Sequence, residues 1–421
     1  MARTFFLTVL LTLSLGAADA LADPTVIVLS WDGVRSDYPE RTSLPGLERM
    51  EREGMRAKRM TPVFPSSTFA NHVSLATGTY PDRHGIVDNR FWDRERGLFD
   101  YGNNADWLDA EPLWASAERQ GVRAATHYWV GSETPWRGQA SHYVKAPFDG
   151  SVGEAEKVDQ ILSWLDLPAP ERPGLIMGWW HGADGAGHRH GPDSPEVTQA
   201  LQEQDAELRR LLAGLDARDA WKDVTLLVVS DHGMLGVEET FSLTSLVEDE
   251  AIPARVEERS TVAHIFLESL TDRERLEARI AEEPGLHTYR PETLPEHLRL
   301  GHPTRSGDVM VLIDPPRVFR PGDPWTNAYI WVRRLWEPQT RFGAHGFHPQ
   351  HPDMGTIFFA LGRGVTPGHR EEEVRTIDVA STVSALLGIE PPRHNEGQPI
   401  RGVGSGPGLS SPAIRPSPAS P

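Results

Sequence analysis

Three short runs along the chain are apolar almost without a break: residues 25–30 (TVIVLS), 174–180 (GLIMGWW) and 224–230 (VTLLVVS). Runs of this length, rich in Val, Ile and Leu, suit strands covered on both faces, as in a parallel sheet. Between them apolar positions recur at helical spacing. Val158, Ile161, Leu162 and Leu165 share one helical face, and Ser194-Pro195-Glu196 supplies an N-cap with proline at the first helical position. The helix it opens carries Val197, Leu201, Leu208, Leu211, Leu212 and Leu215 on its apolar side. Alternating strand and helix predict an α/β fold around a doubly wound, mostly parallel central sheet. From 241 to 341 the texture changes. Strands are expected at 264–267 and 309–313 and a charged amphipathic helix at 271–281, which together predict a small inserted α+β region. The main domain then covers 23–240 and resumes over 342–401. Residues 402–421, rich in Gly, Ser and Pro, read as a disordered tail.

The first 22 residues read as an export signal. Arg3 precedes a short apolar run over 5–15, and Ala18-Asp19-Ala20 or Ala20-Leu21-Ala22 offers a small-x-small cleavage site. The run is too short to span a bilayer, so a secreted or bacterial periplasmic protein is expected. The chain has 421 residues, no cysteine, 38% hydrophobic and 24% charged positions. That balance fits a globular protein with a sizeable core that needs no disulfides. A formal net charge of −18 argues against a nucleic-acid scaffold. An anionic substrate stays open, because bound cations would reverse the local field.

Each of the three buried strands is followed closely by an aspartate: Asp32, Asp184 and Asp231. Open α/β sheets bind ligands just beyond the carboxyl ends of their strands. One such aspartate is by default a turn or cap residue. Three converging there would repel one another, and with histidines nearby they favour a metal site. Asp184 and His188 are one helical turn apart, Asp231 and His232 are adjacent, and His345 lies between glycines (GAHGF). Carboxylate and imidazole together suit zinc or another borderline divalent ion. His181, His190 and His348 are close enough to support these ligands. His72, His84, His127, His351 and His394 are by default surface or hydrogen-bonded residues. In FPSSTFANHVSLATG (64–78) a helix should begin near Thr68, with free amides and a positive dipole end suited to an anion. A hydroxyl at that place is either an N-cap or a nucleophile.

These segments, VIVLSWDGVR, FPSSTFANHVSLATGTYPDRHGIVDN, ADGAGHRHGP, VVSDHGM and AHGF, occur in the order found in one family. On them the chain resembles the nucleotide pyrophosphatase/phosphodiesterase family of the alkaline phosphatase superfamily. The resemblance implies an alkaline phosphatase-like α/β sandwich with a small inserted region and two divalent metal ions, zinc by preference. Asp32, Asp231 and His232 would hold one ion, with Thr68 completing it; Asp184, His188 and His345 would hold the other. Asn89 would hydrogen-bond a phosphoryl oxygen, and Phe69 would stack on the organic group of the substrate. Trp179 stands where several relatives have a tyrosine near the substrate. The implied activity is hydrolysis of phosphodiester or phosphoanhydride bonds in a small phosphate ester, a nucleotide among them, through a covalent intermediate on Thr68. The alternatives are a phosphomonoesterase or phosphonate hydrolase of the same superfamily, with a sulfatase or a non-catalytic metal-binding protein further off. Departures from the family pattern at Val34, Ala70 and Phe347-His348 leave every implied metal ligand in place.

Overall fold

The three apolar runs form the middle of one eight-stranded sheet in the computed structural model, which describes residues 24–319, 332 and 342–404. The expected export signal and all but the first three residues of the expected tail lie outside the described residues. Thr25–Trp31 pairs in parallel with Leu175–Trp180 on one side and Val224–Val229 on the other. Across the sheet the order is His369–Arg375, Met55–Thr61, Thr356–Gly362, Val224–Val229, Thr25–Trp31, Leu175–Trp180, Ala124–His127 and Tyr143–Lys145. Thr356–Gly362 runs antiparallel to both its neighbours.

Alternation along the central strand divides the core. Val26 and Val28 face one side, where they pack with Val73 and Ala76 of helix Thr68–Thr77 and with Val379 and Val383 of helix Asp378–Leu387. Ile27, Leu29 and Trp31 face the other, against helices Pro45–Glu53, Glu154–Leu165 and Pro195–Ala217. The central strand is buried on both faces, and truncating a residue such as Leu29 to alanine should cost about 2–5 kcal/mol. The expected N-cap at Ser194 is present: its hydroxyl accepts from the Val197 amide at 3.3 Å.

Between 241 and 319 a second, antiparallel sheet follows the order Ala254–Arg259, Val262–Leu267, Val309–Ile313, Leu286–Tyr289. Helices Leu243–Asp249 and Arg273–Ile280 cover it, with Leu246, Ile265, Leu276 and Val311 in a core of its own. The expected helix over 271–281 starts as a 3-10 turn at Leu270–Asp272, where Ser269 caps the Thr271 amide. No helix among the described residues is long and apolar enough to cross a membrane.

Candidate functional site

Asp32 follows the central strand, Asp231 the next strand on one side, and Asp184 opens a helix just after the strand on the other. The three carboxylates therefore meet at the carboxyl edge of the sheet. Two glycines permit the approach. Gly33 and Gly182 both have positive φ; a Cβ on Gly182 would lie 2.0 Å from the Asp32 carbonyl oxygen, and one on Gly33 would lie 2.8 Å from Asp184. The amides of Ala183 and Asp184 both donate to the Asp32 carbonyl, at 2.9 and 3.2 Å.

The imidazoles are aimed by their backbones. His188 Nδ1 lies 2.8 Å from the Gly343 carbonyl, His232 Nδ1 2.8 Å from that of Gly233, and His345 Nδ1 3.0 Å from that of Ser66. A carbonyl only accepts, so in all three rings Nδ1 carries a hydrogen and Nε2 is the nitrogen turned to the site, where it offers a lone pair whenever it is unprotonated. His232 Nε2 sits 3.3 Å from both Asp32 Oδ1 and Asp231 Oδ2. His188 Nε2 is 3.2 Å and His345 Nε2 3.8 Å from Asp184 Oδ1. The rings of His232 and His345 stack at 3.5 Å. Two ligand groups result, Asp32 with Asp231 and His232, and Asp184 with His232 and His345, so His232 stands between them.

The electrostatics of this cluster call for cations. Asp32 Oδ1, Asp184 Oδ1 and Asp231 Oδ2 are buried and have no hydrogen-bond partner. Burial pushes the Asp32 carboxyl above its usual range, and Asp231 and Asp184 push it further. Burial raises Asp231 as well. At His232 burial acts downward, but the charges of Asp231 and Asp32 outweigh it and hold a second proton on the ring. Burial, then His232 and His188, drives His345 well below the usual histidine range. Neutral and charged imidazoles in face contact beside crowded carboxylates are a costly arrangement. A divalent cation in place of the shared proton resolves it, and the donor set of hard carboxylate oxygens and imidazole nitrogens fits such ions.

Thr68 is the first residue of helix Thr68–Thr77, and Ser67 occupies the cap position without making a side-chain cap bond. The Thr68 hydroxyl does not cap either; it lies 3.1 Å from His232 Nε2, inside the ligand cluster. The cap is supplied in trans. The Phe69 amide donates to Asn89 Oδ1 at 2.8 Å, which leaves the NH2 end of that side chain for the cleft. The cleft holds about 360 Å³, with Thr68, Asn89, Asp32, Asp184, His188 and His345 on its floor and Phe69, Tyr101, Tyr128, Phe148 and Trp179 on its walls. No lysine or arginine is among its lining residues. Arg35 is turned to Asp37 and Asp353, and Arg90 to Asp100 and Glu257.

Several supporting groups escape a reading of the sequence. His72, expected to be a surface or hydrogen-bonded residue, is hydrogen-bonded and buried beside the site, with Nδ1 2.8 Å from the Thr68 carbonyl and 3.4 Å from Asp231 Oδ2. Its place one turn after Thr68 on a helix was the available signal. Ser260 and Thr261, at the turn of the second sheet, donate their hydroxyls to the carbonyls of His345 and Gly346. Of the three supporting candidates, His181 packs on Trp179 and bonds Glu154, His190 lies 3.6 Å from Glu196, and His348 contacts Phe64 and His297. Ser74 and His84 pair with each other, His127 packs on Tyr128 and Trp164, and His351 and His394 bond local or distant amides; these lie apart from the ligands.

Comparison with known proteins agrees with this geometry. The family model for type I phosphodiesterase / nucleotide pyrophosphatase matches residues 26–348. An uncharacterized pyrophosphatase/phosphodiesterase of Schizosaccharomyces pombe is 30% identical over 393 residues, covering 89% of this chain and 78% of that protein. Venom phosphodiesterase 2 of Crotalus adamanteus is 28% identical over 392 residues; the match takes in 88% of this chain but 46% of the venom protein, so the chain spans under half of that relative. The structure of murine ectonucleotide pyrophosphatase/phosphodiesterase 5 superposes with a TM-score of 0.78 at 25% identity, over 88% of this chain and 97% of that one. An inactive form of the murine protein, solved in complex with AMP, gives a TM-score of 0.79 at 24% identity. The chain belongs to the type I phosphodiesterase / nucleotide pyrophosphatase family, whose members hydrolyse phosphodiester and pyrophosphate bonds.

Proposed function

We propose that the protein is a metal-dependent phosphodiesterase or nucleotide pyrophosphatase that works through a covalent intermediate on Thr68. The observation that carries this reading is a cluster of three imidazoles and three unpartnered carboxylate oxygens, with the Thr68 hydroxyl 3.1 Å from the His232 Nε2 at its centre. Asp32, Asp231 and His232 would hold one divalent ion and Asp184, His188 and His345 the other, zinc by donor chemistry. When bound, such ions supply Lewis acidity: they lower the pKa of a hydroxyl and offset the charge of a phosphate. Thr68 Oγ attacks phosphorus, a new O–P bond forms, and the bond to the leaving oxygen breaks, the threonine proton passing by way of solvent to the departing alcohol or phosphate. The intermediate is a threonine phosphodiester that keeps the second organic group; water then cleaves its threonine ester bond, releasing a monoester and restoring the hydroxyl. The NH2 of Asn89 donates to a phosphoryl oxygen, and the helix start at Thr68 adds its dipole. Phe69 and the facing aromatic rings give a base or aryl group a dry wall.

A cleft lined by two neutral amides, Asn89 and Asn103, the second already donating to Glu133 at 3.1 Å, with aromatic walls and no cationic side chain, favours a diester over a monoester. Export by a signal over residues 1–22 and an insertion over 241–341 belong to the same proposal. The test combines metal analysis with kcat/KM for bis-(p-nitrophenyl) phosphate, an aryl ester of a nucleoside monophosphate, and p-nitrophenyl phosphate. The expected result is about two transition-metal ions per chain, activity abolished by a chelator, and the monoester as the poorest substrate. Full activity in metal-free protein refutes the metal reading, and a preferred monoester moves the assignment to a phosphatase.

A further inference from the structure

Trp179 does more than wall the cleft. Its indole Nε1–H donates to Asp32 Oδ2 at 2.9 Å, while Asp32 Oδ1 is buried without a partner. The indole thus occupies one carboxylate oxygen, fixes the rotation of the group, and leaves the other oxygen free. The ring itself is held from three directions: Phe148 meets it edge-on at 5.3 Å, His181 lies at 4.7 Å, and the ammonium of Lys157 stands 4.6 Å from the ring centroid. Lys157 is 1% exposed, on helix Glu154–Leu165. Its counter-charge is Glu154, 3.4 Å away, and that carboxylate also binds the His181 amide at 2.9 Å and His181 Nδ1 at 2.6 Å. Burial pulls the ammonium down to about 8, so it stays charged at neutral pH.

A lysine buried only for packing has no need of a charge. Here the charge faces an indole whose N–H points at an anion. A cation over an aromatic face is attracted to its π density and draws that density toward itself. The N–H at the ring edge becomes a better donor, and its bond to a carboxylate is already charge-assisted. We propose that Lys157 and Trp179 form a positioning relay that orients Asp32 toward the ion it shares with Asp231 and His232. The relay rests on the two-ion reading of the site. Neither residue touches the ion; both act through the carboxylate.

The experiment is equilibrium zinc binding to the folded, metal-stripped protein, by competition with a chromogenic chelator, with thermal melting as a control. Wild-type protein should bind two ions, and failure there refutes the site reading rather than the relay. Trp179→Phe keeps the aromatic wall but loses the donor. It should weaken one ion by roughly 10–100-fold, as loss of an outer partner of a metal ligand does, and leave the other unchanged. Lys157→Met also removes the counter-charge of Glu154, so the melting temperature of the metal-free protein should fall; in the folded protein it should still weaken the same ion several-fold and leave the other unchanged, and Lys157→Arg should recover part of the loss. Added to Trp179→Phe, Lys157→Met should cost nothing further, since its effect passes through the indole. Unchanged affinity for both ions in Trp179→Phe, with only KM raised, overturns the proposal. So does a full additional loss in the double variant. Lys157→Met retains the indole and keeps the test decisive if Trp179→Phe does not fold.

Discussion

On the proposed mechanism Asn89 has two separable jobs, and two substitutions should separate them. Its Oδ1 accepts the buried Phe69 amide at 2.8 Å, which caps helix Thr68–Thr77 from another segment. Its NH2 end faces the cleft, where the proposed reaction gathers negative charge. Asn89→Ala removes both. An unpaired buried amide costs about 1–3 kcal/mol of stability, and loss of one preorganised donor costs about 10²–10³ in kcat. Asn89→Asp keeps an acceptor for the Phe69 amide, so the helix cap and most of the stability should survive. In place of a donor it puts a negative charge against the phosphate. At ~4 Å and an effective dielectric constant of ~20, that repulsion is about 4 kcal/mol. The second variant should therefore be the more stable and the less active of the two. Urea midpoints give the stability order, and kcat/KM with bis-(p-nitrophenyl) phosphate gives the activity order. If Asn89→Asp hydrolyses the diester as fast as wild type, Asn89 is a helix cap and nothing more.

Thr68→Ala should fold and bind metal yet lose several orders of magnitude in kcat, on the order of losses at other covalent nucleophiles; near-normal turnover would mean that water attacks directly. Thr261→Val with Ser260→Ala should loosen the His345 loop, so zinc affinity should fall by roughly 10–100-fold, and unchanged affinity in a chelator competition would detach the second sheet from the site. His84 is buried, and burial with Arg305 lowers its pKa to about 3. Unfolded histidine titrates near 6.5, so this contribution to stability is full above that pH and is lost as the pH falls from about 6.5 toward 3. His84→Gln should flatten the fall of the urea midpoint over that interval, and an unaltered slope would show that the ring is already protonated in the fold.

What the sequence discloses follows from how local each physical cause is. A strand buried on both faces must be apolar throughout, so Thr25–Trp31, Leu175–Trp180 and Val224–Val229 announce themselves, and the aspartates behind them follow. Met55–Thr61 (MRAKRMT) belongs to the same sheet but lies toward its edge, where Lys58 and Arg59 reach outward, and its pattern reads as polar. Lys157 sits among the apolar positions of its helix, and a lysine there is the one local hint of the contact with Trp179. Ser260 and Thr261 leave no such hint: their partners are carbonyls 85 residues away, and any hydroxyl in any turn looks the same in sequence. Trp179 could be placed near the substrate by resemblance, yet its bond to Asp32 depends on how two parallel strands lie side by side.

The charge of the site bears on which ester it prefers. Three carboxylates belong to the site, Asp32 and Asp184 on the floor of the cleft and Asp231 buried behind it, and Nε2 of His188, His232 and His345 is turned toward them. The two proposed divalent ions, set against three carboxylates, would leave one unit of positive charge. A phosphodiester brings one negative charge and meets it evenly. A monoester dianion brings about two and leaves one negative charge to be stabilised by the walls. Those walls are mainly aromatic and contain no lysine or arginine, and Arg259, which is not among the lining residues, donates to the Tyr101 hydroxyl at 3.1 Å. The excess charge would have to be borne in a cleft of low polarity, where an unpaired ion is most costly. Selectivity for diesters on this reading is a property of the whole cleft. Asn103 also lines the cleft, and moving a positive charge there, as in Asn103→Lys, should raise kcat/KM for the monoester relative to the diester while leaving the metal ligands untouched.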